Sequence, residues 1–301
     1  MTHGPLDDDA VESYRTAGAV LTEAVTEARS MVEPGRRQLA VAEWVEDFVR
    51  ESDAGLAFPV NLSVDAEASH ATPARDDETE FGQEMVCLDV GVHVDGYIAD
   101  AAVTVDHTDT PELVEAAEMA LEAAVDEAGP GVEVGVVGQA IEDVIRGYGY
   151  TPVLNLSGHG VERYDAHTGP TVPNRGVDRS VELAPGQAVA IEPFATDGRG
   201  KVGEGTDEEI YELERSRSVR DRRARETLEA IEAFDGLPFA ARWLEGDRVN
   251  MSLRRLKQAN AIKGYPVLKE ADGALVSQAE HTLLITDDGV EVTTAGIHSF
   301  D

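Results

Sequence analysis

Cysteine is almost missing from this 301-residue sequence: Cys87 stands alone, so no intrachain disulfide can form and a reducing compartment fits. Lysine is nearly as scarce, at Lys201, Lys257, Lys263 and Lys269 only, which makes arginine 21 of the 25 basic residues. No stretch approaches the roughly 20 apolar residues of a membrane span. The acidic opening MTHGPLDDDAVESY contains no apolar core of signal-peptide length. These absences lead us to expect a cytoplasmic protein with no membrane attachment.

Acid is what the sequence has in excess. Against 25 Lys and Arg stand 59 Asp and Glu, for a formal charge of −34. Dense carboxylate with scarce lysine resembles the proteins of salt-in halophiles, in which concentrated salt screens self-repulsion. Such a charge argues against binding nucleic acid over the whole surface. At 42% hydrophobic residues the chain is nevertheless globular, with ample material for a core.

Apolar periodicity predicts helices near Asp9–Met31, Arg37–Arg50, Pro111–Glu127 and Val134–Gly147, punctuated by Pro34-Gly35 and by Gly129-Pro130-Gly131. LAFPVNLSVD, YTPVLNLSGHG and GQAVAIEPFA read as strands. PGRRQLAVAEWVEDFVR matches PGVEVGVVGQAIEDVIR at a shift of 96 residues, and PVNLS then answers PVLNLS. Chance likeness of two amphipathic helices would explain the first match alone. Because the helix–strand order repeats as well, a duplication with pseudo-two-fold symmetry is expected, with a site between the halves. From about Asp207 to Lys269 the chain reads as helical and as an insertion, with six arginines between Arg215 and Arg225.

The stretch DVGVHVDGYIAD reads as a β-hairpin turning at Asp95-Gly96, a dipeptide that favours two-residue turns. That register sets Gly91 opposite Asp100, so Asp89 and Asp100 become diagonal same-face neighbours roughly 7–8 Å apart at the backbone. Two solvated strand acids would be the plainer reading of the hairpin alone. Among apolar neighbours, however, a bare anion pair is badly desolvated, and a bound cation would compensate. Three more strand-like stretches place one polar group in an apolar run: NLSGHG with His159 between glycines that would let a ligand approach closely, VAIEPF with Glu192, and SQAEHTLLI with Glu280. Singly each could be an ordinary buried polar residue. Together they amount to two Asp, one His and two Glu.

With these residues in place the sequence resembles the methionine aminopeptidases of the pita-bread fold, over nearly its whole length. DVGVHVDGYIADAAVTV, GHGVERYDAHTG, AIEPFA and QAEHTLLI carry the resemblance. It implies an α+β fold with pseudo-two-fold symmetry, and a dinuclear centre ligated by Asp89, Asp100, His159, Glu192 and Glu280, with Asp100 and Glu280 bridging. It further implies Glu192 as proton shuttle, His167 as a hydrogen-bonding stabiliser of the tetrahedral intermediate, His70 as a contact to the substrate backbone, and Phe58 as a wall of the methionine pocket. Without the framework, His70 and His167 would read as loop histidines and Phe58 as core.

Four carboxylates and one imidazole suit two divalent ions such as Co, Mn, Fe or Zn. Ions ~3.5–4 Å apart can share a hydroxide and so make a nucleophile near neutral pH. The implied reaction is removal of the N-terminal methionine from nascent polypeptides by attack of that hydroxide on the first peptide bond, with preference for a small second residue.

Prolidases and X-Pro aminopeptidases share the fold and ligands but usually carry a large extra N-terminal domain, whereas only about 88 residues precede Asp89 here. The insertion between Glu192 and Glu280 resembles that of type 2 members, in the archaeal form. The expected division is a catalytic unit of residues 1–206 and 270–301 around a helical insertion at 207–269, the whole a monomer. A second class stays open: pita-bread proteins that have lost catalysis and bind ribosomes or RNA, for which RSRSVRDRRAR could contact phosphates. A solvated helix face interspersed with acids is the plainer reading of that stretch. The complete ligand set favours the enzyme.

Overall fold

The computed structural model describes residues 6–215, 219, 221–298 and 300. Helix α1 (Asp8–Met31) is started by Asp7, whose side chain accepts from the Ala10 amide at 2.8 Å. Tyr14, Ala17, Leu21, Ala24, Val25 and Ala28 recur at helical spacing and are buried as one stripe. Helices α2 (Gln38–Glu51), α3 (Pro111–Glu127) and α4 (Val134–Gly147) lie where the periodicity places them. Arg37 and Glu133, 96 residues apart, cap α2 and α4 with φ,ψ of −68°,130° and −68°,133°. Each also forms an isolated antiparallel bridge, Arg37 with Glu80 and Glu133 with Glu182. The repeat in sequence is thus a repeat in backbone.

The strands named here are β1 (Asn61–Val64), β2 (Met85–Val94), β3 (Tyr97–Asp106), β4 (Ser157–Glu162), β5 (Asp165–Pro173) and β6 (Ala188–Ile191). They continue as β7 (Phe194–Thr196), β8 (Ile210–Leu213), β9 (Ile262–Tyr265), β10 (Val276–Gln278), β11 (His281–Ile285) and β12 (Val290–Val292). In the first half β2 is the hub, paired antiparallel with β1, β3 and Gly55–Leu56. In the second half the order is β12-β11-β6-β4-β5. Helices α1 and α2 cover the first sheet through Leu21, Val45, Leu88 and Ala101. Helices α3 and α4 cover the second through Leu113, Ile141, Val189 and Leu283. A third cluster, with Phe58, Ile98, Val161, Ala190 and Leu284, joins the halves. Two helix-backed halves meeting face to face form the pita-bread arrangement.

Three strand readings need adjustment. LAFPVNLSVD is strand only at Leu56 and from Asn61 to Val64, YTPVLNLSGHG breaks between Pro152 and Ser157, and GQAVAIEPFA breaks at Glu192-Pro193. Pro59 and Pro193 have no N–H to give a ladder, so pairing is interrupted there. The stretch read as helical is also different. Helices α5 (Arg222–Ile231) and α6 (Val249–Gln258) accompany a three-stranded sheet in which β8 lies between β9 and the short strand Phe239–Ala240. Its own apolar cluster holds Leu228, Phe239, Leu253 and Ile262. Four-residue strands whose partners lie tens of residues away leave little local signature, while the charged helices around them leave a strong one.

Candidate metal centre

The hairpin register is the one its turn predicts. Asp95 and Gly96 have φ of 52° and 88°, the left-handed pair of a type I′ turn, and Gly91 lies opposite Asp100. Asp89 faces Asn61 across β1 and Ala102 across β3. Gly91 is small for a reason: a Cβ there would lie 2.3 Å from a ring carbon of Phe58. Phe58 is buried against it.

Thr282 fixes Asp100 to the other half. Its hydroxyl accepts from the Asp100 amide at 2.7 Å and donates to the Asp100 carbonyl at 2.9 Å. The Glu280 amide donates to Ala102 O at 3.1 Å, so the β3–β11 junction sets both carboxylates. Glu192 directly follows β6, at the proline break. His159 lies on β4 opposite Ala190. The glycines beside His159, expected to make room for a ligand, instead make room for neighbouring strands. A Cβ on Gly158 would lie 2.3 Å from Ala190 O, and one on Gly160 would lie 2.2 Å from Gly169 O.

All eight residues singled out in the sequence line one cavity of about 190 Å³: Phe58, His70, Asp89, Asp100, His159, His167, Glu192 and Glu280. Ligand atoms of Asp100, His159 and Glu280 lie within 4.8 Å of one another. His159 Nε2 is 3.9 Å from Asp100 Oδ2 and 3.9 Å from Glu192 Oε1. Its Nδ1–H donates to Gly160 O at 3.2 Å, which leaves the Nε2 lone pair directed at the carboxylates, the tautomer a metal requires. The His159 and His167 rings are 4.5 Å apart, and His70, at φ 64°, donates from Nδ1 to Pro266 O at 3.2 Å.

Burial dominates the electrostatics. It raises the Asp89 carboxyl to about 7. Burial first, then neighbouring carboxylates, raise Asp100, Glu192 and Glu280 well above their ordinary range. Burial also lowers His70 and His159, and with the adjacent imidazoles it takes His167 down to about 3, so all three rings are neutral at pH 7. Asp89 Oδ1, Asp100 Oδ1 and Glu280 Oε1 are buried without a hydrogen-bond partner among the described residues. Acceptor oxygens orphaned in this way, around a neutral imidazole, fit divalent cations held by carboxylate and nitrogen.

Several cavity residues escaped the sequence reading. Gln278 donates from Nε2 to Glu192 and Glu280, and its two-residue spacing from Glu280 was a usable signal. Asn61, opposite Asp89, was legible in the same way. Tyr265, whose hydroxyl donates to Glu212 and whose ring lies 5.1 Å from that of His70, comes from the insertion with Ile210 and Pro238, and no local pattern marks it.

Comparison with known proteins adds three findings. The sequence profile of metallopeptidase family M24 matches residues 12–239. The chain is 47% identical over 291 residues to a methionine aminopeptidase of Archaeoglobus fulgidus, spanning 96% of this chain and 100% of that protein. Among solved structures, a methionine aminopeptidase of Thermotoga maritima superposes with a TM-score of 0.71 at 24% identity, covering 97% of this chain and 99% of the other. A thermophilic Arx1 superposes with a TM-score of 0.83 at 17% identity, covering 96% and 91%.

Proposed function

The chain belongs to metallopeptidase family M24, and on that premise we propose that it removes the N-terminal methionine of nascent polypeptides at the cavity between its halves. The observation that carries this reading is the His159 Nε2 lone pair, 3.9 Å from Asp100 Oδ2 and Glu192 Oε1, set among buried carboxylates that keep unpartnered oxygens at Asp89, Asp100 and Glu280. Asp89, Asp100, His159, Glu192 and Glu280 would hold two divalent ions, drawn from Co, Mn, Fe and Zn. When bound, such ions polarise the first peptide carbonyl and acidify water.

The protein's own groups do the rest. Glu192 accepts a proton from the attacking water and returns it to the departing amine nitrogen. His167 donates a hydrogen bond to the oxygen that gains charge as the carbonyl carbon becomes tetrahedral. His70, with Nδ1–H committed to Pro266 O, presents Nε2 as an acceptor for the scissile N–H. Phe58 receives the thioether, a contact worth about 0.3–1.5 kcal/mol. Ile210, Pro238 and Tyr265 border the cavity from the insertion and favour a small second residue.

We further propose residues 207–269 as an inserted subdomain of an otherwise continuous catalytic unit, which its separate apolar cluster supports. No described helix is long and apolar enough to cross a membrane. A cytoplasmic, monomeric enzyme meeting nascent chains suits this reading. Ribosome contact through Arg215–Arg225 belongs to it as a subsidiary proposal. Arg217 and Arg220 lie outside the described residues, and Arg222 is paired with Glu226 at 2.7 Å. An Arg→Ala series that leaves salt-dependent cosedimentation with ribosomes unchanged would remove that contact.

The test of the main reading uses metal-depleted protein in molar KCl, with Mn²⁺, Fe²⁺, Co²⁺ or Zn²⁺ returned separately. Metal-dependent release of methionine from Met-Gly-Met-Met is expected, with loss of at least 100-fold in Asp100→Ala, roughly the ~2.7 kcal/mol or more that removing one electrostatic stabiliser costs. Cleavage of an X-Pro peptide alone would move the chain to the prolidase branch.

A further inference from the structure

We infer that Gln278 is a positioning residue of this centre, its single carboxamide holding Glu192 and Glu280 in ligating geometry from one point. The inference rests on the metal-centre reading. Gln278 ends β10 opposite Phe194 of β7, so it stands beside the Glu192-Pro193 break and two residues before Glu280. Its backbone is fixed on both sides by one hydroxyl: the Gln278 amide donates to Thr104 Oγ1 at 2.9 Å, and Thr104 Oγ1 donates to the Gln278 carbonyl at 2.8 Å. The residue is 1% exposed.

From this anchored backbone, Nε2 donates to Glu192 Oε2 and to Glu280 Oε2, each at 3.2 Å. An amide nitrogen has two N–H groups, and both are used. Once the two carboxylates are ionised around bound cations, the reversed amide would set its carbonyl against them, so the donor orientation is the one that suits the loaded centre. The oxygens left over are the ones the centre needs. Glu280 Oε1 is buried without a partner among the described residues, and Glu192 Oε1 lies 3.9 Å from His159 Nε2. Each glutamate is thereby divided, with one oxygen tied to Gln278 and the other left to a cation.

The chemistry of the amide matters as much as its reach. A lysine or arginine here would orient the same carboxylates, but its charge would neutralise them and repel the ions. A neutral double donor fixes the ligands without competing for them. Outer partners of this kind typically contribute about 10–100-fold to metal affinity.

The test is calorimetric titration of Mn²⁺ into the metal-depleted full-length chain in molar KCl. Wild type is expected to bind. Gln278→Met keeps volume and burial but has no donor, and should bind Mn²⁺ about 10–100-fold more weakly. Its thermal midpoint in EDTA should stay close to that of wild type, a pattern that loss of packing would not produce. Gln278→Asn keeps the amide but is one methylene too short to reach both carboxylates, and should weaken binding in the same direction. It serves as the deciding variant where Gln278→Met does not fold. Wild-type affinity in either folded variant overturns the role of Gln278. A wild-type protein that binds no Mn²⁺ overturns the centre itself, a different and recognisable failure.

Discussion

Asp89, Asp100, Glu192 and Glu280 can share one small volume only if protons or cations cancel their charge. Without metal the protons do so: burial raises all four, Asp89 to about 7. Cations must displace these protons, so affinity rises with pH. The sign follows from the shift. A group raised from its ordinary acidic value to near neutrality is protonated through the range between, and metal binding there releases its proton. Calorimetry from pH 5.5 to 7.5 should show Mn²⁺ affinity climbing about tenfold per pH unit for each proton displaced. A flat profile would mean the carboxylates are already ionised. A second residue-scale prediction concerns Gly91, whose missing Cβ leaves room for the Phe58 ring. Gly91→Ala should cost about 1–3 kcal/mol in urea unfolding by overpacking, and raise KM more than it lowers kcat. The acids were legible because a carboxylate in an apolar strand demands a partner, and Gln278 was half legible through alternation. Tyr265 was not, because its place depends on how the whole insertion packs.

At the scale of elements, one contact carries the junction between the halves. Thr282 bonds both backbone groups of Asp100, and with it β11 is keyed to β3 at the point where two expected ligands arise. Thr282→Val preserves shape but strands a buried N–H and C=O, and should cost about 1–3 kcal/mol by chemical denaturation. Thr282→Ser, which retains the hydroxyl, should recover most of that loss. If Val and Ser variants unfold alike, packing rather than hydrogen bonding holds the junction. The hairpin was readable in full because a two-residue turn fixes register, and a one-residue slip would have turned Asp89 and Asp100 away from the site. Strands that run into Pro59 and Pro193 were read too long. The sheet of the insertion was missed because Ile210 pairs with Ala240 and Tyr265, contacts that no local window contains.

The molecule as a whole carries a net formal charge of −34: with 59 Asp and Glu against 25 Lys and Arg, most of its acids have no basic partner to pair with. Most of these acids lie on the surface, where Arg15–Glu291, Arg146–Glu142 and Lys269–Glu67 pair only a few. Self-repulsion therefore opposes the compact state, and it acts over the distance that salt controls: about 10 Å at 0.1 M and 3 Å at 1 M. Raising KCl from 0.1 to 2 M should lift the thermal midpoint of metal-free protein on the order of 10 °C, taking about 2–4 °C per kcal/mol for a large domain. Mn²⁺ acts elsewhere, on four buried carboxylates that bulk salt does not reach. Its stabilisation should therefore add to that of KCl rather than be replaced by it. Differential scanning calorimetry with both varied independently separates the two. A midpoint indifferent to KCl would mean the surface acids are spaced widely enough to tolerate one another, leaving the centre as the only place where acid concentration governs stability.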